Sequence, residues 1–174
     1  VERSYAERYR ELFERHWWWR ARERVIIREL DRYRPAGGWR RALDVGCGDG
    51  LFFGTLLRYA EEVEGIEPDE NVVSAEARAA GQVHVRPFDA TFRPGRPYDL
   101  VVFLDVLEHL DNAEATVSHT AALMETGGTL IVTVPAHRHL WTTHDELNRH
   151  VTRFSERELL TLLSSRFDVA RTRH

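Results

Sequence analysis

Apolar residues in the first fifth of the chain recur at helical spacing. They fall at Tyr5, Tyr9, Leu12 and Phe13, then at Trp17, Trp18, Trp19, Val25, Ile26 and Leu30, with charged residues between them. Recurrence every three to four residues beside a charged face predicts amphipathic helix over residues 4–34. Three consecutive tryptophans cannot share one helical face, so a break into two helices is expected near Trp17–Trp19. Pro35-Ala36-Gly37-Gly38 then ends the helical region.

From residue 40 the period changes. Short apolar runs predict strands at Arg41–Val45, Glu62–Ile66, Val83–Arg86, Tyr98–Leu104, Thr129–Val134 and Phe167–Thr172. Helices are expected between them at Leu51–Tyr59, Asp69–Ala80, Asn112–Met124 and Glu156–Ser165. Tyr98–Leu104 is nearly all apolar, as a strand covered on both faces must be. Ser155 followed three residues later by Glu158 reads as a capping box. Strand–helix alternation with short connections predicts an α/β fold with a doubly wound, mostly parallel Rossmann-like sheet, preceded by N-terminal helices. Such sheets bind ligands beyond the carboxyl ends of their strands. Residues 1–38 are expected to form a helical lid or cap, and residues 39–174 the ligand-binding domain. His137–Arg153 follows neither period, and long irregular stretches in compact domains are often binding loops.

Composition narrows the classes. The chain has 174 residues, 43% hydrophobic and 30% charged, which is a soluble globular balance for one domain. No apolar run approaches the roughly 18 residues of a membrane span. The first residues, Val1-Glu2-Arg3-Ser4, contain neither an initiator Met nor an apolar signal core, so secretion is not expected. Cys47 is the single cysteine, which excludes an internal disulfide and suits a reducing, cytoplasmic compartment. A net charge of −4 argues against a broad nucleic-acid surface. There is no lysine, so Schiff-base catalysis is excluded.

The strongest chemical signal is Leu43-Asp44-Val45-Gly46-Cys47-Gly48-Asp49-Gly50. Its glycines follow a strand and precede a helix, where positive φ and a bare backbone let a ligand approach. The dinucleotide pattern G-x-G-x-x-G has wider spacing, and a pyrophosphate would be repelled by Asp44 and Asp49. A cationic, ammonium-bearing ligand suits those acids better. Glu67 ends the second expected strand, where a carboxylate can bridge two ribose hydroxyls.

These segments resemble the ordered motifs of class I S-adenosylmethionine-dependent methyltransferases, of the ubiquinone-type or small-molecule kind. The resemblance rests on Leu43–Gly50, Gly65–Asp69, Tyr98–Val102 leading into Val106–Leu110, and Gly127–Leu130, and it spans roughly residues 40–170. It implies strand order 3-2-1-4-5-7-6, with the last strand expected to be missing because Phe167–His174 is short for the final hairpin. It implies S-adenosylmethionine as cofactor. Asp44, Gly46, Cys47 and Gly48 would cradle its methionine part, Glu67 the ribose, and Pro68 the side of the adenine. Asp89 would meet the adenine amino group with Ala90 adjacent, and Leu104 would line the floor near the sulfonium. It further implies methyl transfer to a small-molecule acceptor, O-methylation being favoured. A non-catalytic cofactor-binding domain and a nucleotide-dependent oxidoreductase are the rival readings.

Asp105, Glu108 and His109 form a D-x-x-E-H cluster after the fourth expected strand. Three readings stand: a helix start with a packing histidine, a general base at His109, or a divalent-cation site. The last resembles the E-x-x-E-H site of ubiquinone-type O-methyltransferases and of small-RNA terminal methyltransferases, with Asp in place of the first Glu. Mg²⁺ would be held by Asp105, Glu108 and His109. In the His-rich loop, similar methyltransferases carry Leu-Trp-x-x-x-Asp and then His-x-x-Arg. Here His144, His150 and Arg153 are the candidates to meet a substrate, the alternative being that they tie the loop down. N-terminal helices often cover the cofactor in such enzymes, and Arg22 is placed to reach the methionine carboxylate.

Overall fold

The computed structural model of the chain describes residues 16–173, so the helical pattern expected at residues 4–15 lies outside the described residues. Helix α1 runs unbroken over Trp17–Tyr33. Its apolar spacing puts Ile26 and Leu30 into the core and leaves Trp17 72% exposed. The chain then alternates through β1 (Trp39–Val45), α2 (Phe53–Leu56), β2 (Ala60–Glu67), α3 (Ala75–Ala79) and β3 (Val83–Val85). It continues through β4 (Tyr98–Leu104), α4 (Ala113–Leu123), β5 (Met124–Thr133), the short α5 (Thr143–Leu147) and α6 (Glu156–Ser164).

The five strands form one parallel sheet in the order β3-β2-β1-β4-β5, as the α/β reading requires. Chain direction across the sheet reverses between β1 and β4, so the switch point lies at their adjacent carboxyl ends. Period-two alternation splits the core into two layers. Ala42, Leu100 and Val102 face α1 and α2, in a cluster with Ile26, Leu30, Phe53 and Leu56. Leu43, Val45, Val101 and Phe103 face the other side, with Leu107 and Leu123.

Several elements are shorter than periodicity predicted. The helix expected over Asp69–Ala80 survives only as α3, because the Asp69 carboxylate accepts from the Asn71 amide at 2.9 Å and closes a turn instead. Ser74 then caps the real helix by accepting from the Ala77 amide. The helix expected over Leu51–Tyr59 contracts to the four residues of α2. Phe167–Thr172 is not a strand. No ladder is formed there, and its neighbourhood is held by side chains instead: Thr172 donates to Glu156 at 2.7 Å and Arg173 pairs with Glu29. The capping box at Ser155 and Glu158 forms as expected. No helix among the described residues is long and apolar enough to cross a membrane.

Candidate functional site

The carboxyl ends of β1 and β2 converge on the glycine loop. Gly46 (φ 72°), Gly48 (φ 54°) and Gly50 (φ 72°) all adopt left-handed backbone. Gly46 donates to the Ile66 carbonyl at 2.8 Å, which ties the loop to β2. Gly65 is packed so closely under Cys47 and Phe53 that a β-carbon there has no room. Cys47 is buried in this packing, which pushes its thiol up and makes it an apolar wall rather than a nucleophile.

Two carboxylates lie at the strand ends beside the loop, Asp44 on β1 and Glu67 on β2. Asp44 is 3% exposed, and burial pushes its pKa up to about 7, offset in part by Arg22 and reinforced by Glu67. Glu67 accepts from the Gly48 amide at 3.0 Å and from the Asp69 amide at 2.9 Å, and burial raises its pKa as well. Asp49 accepts from the Ser74 amide at 2.8 Å, so its carboxylate braces the loop against α3. Pro68 and Ala90 are exposed, and Leu104 is half-buried at the end of β4. Asp89 is exposed in the turn after β3, where it accepts from the amide and hydroxyl of Thr91, which lowers its pKa.

A second group gathers beyond β4 and β5. Asp105 sits there at φ 60°, an unusual conformation for a residue with a side chain. Its carboxylate accepts from Thr133 at 2.8 Å and pairs with Arg22 at 3.0 Å, while Arg22 also donates to Thr133 at 3.1 Å. Helix α1 is thereby pinned across the strand ends. Asp105 falls outside the group that brings Glu108 and His109 together with His150, and its carboxylate pairs with Arg22 instead. Arg22 in turn is held by a protein carboxylate rather than left open for a ligand's.

The group that does assemble is Glu108, His109 and His150, with one ligand atom of each within 4.8 Å of the others. Glu108 is fully buried, both its oxygens lack a hydrogen-bond partner, and burial pushes its pKa up to about 8, with Asp105 adding to the rise. The His109 and His150 rings meet edge to face at 4.7 Å. The pKa of His109 is lowered by desolvation and by His150.

The His-rich loop is more structured than its sequence suggests. Ala136 bridges to Phe154, and Thr142 caps α5 in a reciprocal box with Asp145. Asp145 is fully buried and accepts from Arg153 Nε at 2.6 Å, Arg153 Nη2 at 2.9 Å, the Thr142 amide at 2.8 Å and His150 Nδ1 at 2.9 Å. Those donors hold its pKa well below the usual carboxylate range, Arg153 foremost. Arg153 is thus committed to the loop, His144 stays exposed outside the cluster, and His150 alone of the three reaches it. Asp145, the acid of the Leu-Trp-x-x-x-Asp pattern, was not among the residues expected to meet a substrate, and the structure makes it the anchor of the loop.

A methyltransferase-domain family matches residues 18–166 of the chain. A ubiquinone biosynthesis O-methyltransferase from Rhodopseudomonas palustris (strain HaA2) is 32% identical over 98 residues, covering 53% of this chain and 38% of that protein. The chain thus spans well under half the length of such curated relatives. Among solved structures, an S-adenosylmethionine-bound amino pentose methyltransferase from Micromonospora echinaspora aligns with TM-score 0.56 at 26% identity, over 68% of this chain and 51% of that one. A complex of a Haloferax volcanii methyltransferase activator with a putative methyltransferase aligns with TM-score 0.71 at 19% identity, over 94% of this chain and 74% of that one.

Proposed function

The chain belongs to the methyltransferase-domain family, within the class I S-adenosylmethionine-dependent methyltransferases, and from that premise we propose that it methylates a hydroxyl of a small-molecule acceptor. The observation that carries the reading is the pair of carboxylates, buried Asp44 and half-buried Glu67, at the ends of β1 and β2 beside the glycine loop. One buried and one half-buried acid beside a bare backbone favour a ligand that brings its own positive charge and hydroxyl donors.

In this reading Asp44 takes the donor's ammonium group and Glu67 its ribose hydroxyls. Gly46, Cys47 and Gly48 supply a wall close enough for backbone contact. Pro68, Asp89 and Ala90 border the adenine, and Leu104 lies beneath the sulfonium. The donor is already activated by its charge, so the protein supplies alignment and exclusion of water. Bound there, the donor would offer its activated methyl group to the acceptor oxygen, and His109 would take up the proton the acceptor gives up. We further propose that residues 1–38 cap this site, since α1 already reaches the strand ends through Arg22. The O-methyltransferase relatives favour oxygen as the acceptor atom.

Calorimetry with S-adenosylmethionine, S-adenosylhomocysteine and NAD tests the cofactor. Binding of both sulfur compounds and not of NAD is expected; binding of NAD alone overturns the reading. Labelled methyl transfer to catechol-type and amino-sugar acceptors then separates oxygen from nitrogen.

A further inference from the structure

His119 lies on α4, and its Nε2 is buried with no hydrogen-bond partner. A buried polar atom left unsatisfied is costly, so attention falls on what the other ring nitrogen does. The ring bonds the backbone of Phe92. With Nε2 unpartnered, the bonding atom is Nδ1, and an imidazole that bonds a carbonyl donates from that nitrogen. Burial and the charge of Arg93 lower the pKa of the ring, so it stays neutral with its proton on Nδ1. The segment it holds, residues 86–92, belongs to no helix or strand. At one end the Arg86 amide donates to the Glu67 carbonyl at 3.0 Å, and Asp89 lies three residues on. Aromatic rings seat the segment. The Phe88 ring centroid is 5.1 Å from that of His119, 5.8 Å from Phe103 and 6.0 Å from Phe92, and Phe92 is itself buried. Ring contacts are broad and tolerate sliding, whereas a hydrogen bond fixes one atom against another. The Phe92 amide donates to the Asp89 carbonyl at 2.9 Å, so fixing Phe92 fixes the turn that carries Asp89. Both bonds from Thr91 fall on Asp89 Oδ1, which leaves Oδ2 for a ligand.

We propose that His119 is a positioning residue for recognition of the donor's base: through Nδ1 and Phe92 it sets the turn that presents Asp89 Oδ2 to the adenine amino group. The proposal rests on the methyl-donor reading of the site. His119 need not touch the base, since it acts through Phe92. The choice of base then follows from charge. A carboxylate oxygen accepts from an amino group and repels a carbonyl oxygen in the same place. That choice holds only while the carboxylate stays at hydrogen-bond distance, and a turn displaced by about 1 Å gives most of it up.

The test compares S-adenosylhomocysteine with S-inosylhomocysteine, whose base carries a carbonyl oxygen in place of the amino group. Calorimetry is run on the parent chain, His119→Asn and His119→Phe. Asn places an amide N–H where Nδ1 stood and removes the orphaned nitrogen, while Phe keeps a ring and removes the donor. The parent is expected to prefer the adenine compound by about tenfold or more. His119→Asn keeps that ratio, and His119→Phe loses most of it. A general loss of stability lowers both affinities alike and leaves their ratio unchanged, so the ratio reads the turn itself. In ligand-free protein the Phe92 amide should exchange faster in His119→Phe and not in His119→Asn. An unchanged ratio or unchanged exchange in His119→Phe, or a ratio lost equally in both variants, overturns the proposal and leaves the cofactor reading standing. A parent chain that binds neither compound, or both equally well, sinks the assignment of Asp89 to the base and this proposal with it.

Discussion

Exchange of Asp44 for Asn is expected to uncouple cofactor affinity from pH. Without ligand, the Asp44 carboxyl has its pKa pushed up to about 7, from an ordinary value of about 3.9, because burial penalises its charge. The folded state therefore holds this proton more tightly than the unfolded chain. Stability from this group is full below about pH 4 and is lost as the pH rises toward about 7. Each pH unit in that window removes about 1.4 kcal/mol, so the full loss is about 4 kcal/mol, and Asp44→Asn avoids it. A ligand ammonium needs the ionised form. With the pKa about 7, roughly a tenth of the ligand-free protein is ionised at pH 6 and about nine-tenths at pH 8. The dissociation constant for S-adenosylhomocysteine should therefore fall about tenfold across that range, about 1.4 kcal/mol. Calorimetry at pH 6, 7 and 8 reads it directly. Asp44→Asn should bind more weakly and with no such slope, while melting higher than the parent at pH 8. A flat profile in the parent protein, or an unchanged slope in Asp44→Asn, would refute the assignment of Asp44 to a cationic ligand.

Gly46→Ala should unfold at markedly lower denaturant than Gly48→Ala. Both residues are in left-handed backbone, at about 1–2 kcal/mol for an alanine, but only at Gly46 does a new β-carbon meet a neighbour, Val106 Cγ2 at 2.6 Å; equal urea midpoints would discount that contact. Asp145→Asn should cost about 3 kcal/mol or more, because it leaves the largely buried Arg153 without its carboxylate. The depressed Asp145 pKa means this contribution is present at neutral pH and lost as pH falls below the ordinary carboxylate range. Hydrogen exchange at the Val151 amide, which donates to the Glu108 carbonyl at 2.8 Å, reports whether the loop has come away from the cluster; unchanged protection would show that Asp145 does not hold it.

The α/β alternation, the strand cores and the glycine loop were legible because each depends on local period or local backbone freedom. Leu100–Phe103 must be buried on both faces wherever the strand lies, and Gly46 and Gly48 accept positive φ without help from distant residues. The placement of Asp44 near the end of β1 and of Glu67 at the end of β2 was legible for a related reason, since each closes an apolar run whose period marks the strand. Phe167–Thr172 shows the limit: its composition suits a strand, but a strand exists only when a neighbour completes its hydrogen bonds. The site beyond β4 was decided by tertiary structure. In the sequence Asp105, Glu108 and His109 are three neighbours of similar promise. In the fold, a left-handed turn sends Asp105 to Arg22, far back on α1, while a loop anchored by Asp145 and Arg153 brings in His150 from beyond β5. No local rule carries those separations; only packing the loop and α1 against the strand ends decides which acid is satisfied and which, Glu108, keeps both carboxyl oxygens without a hydrogen-bond partner.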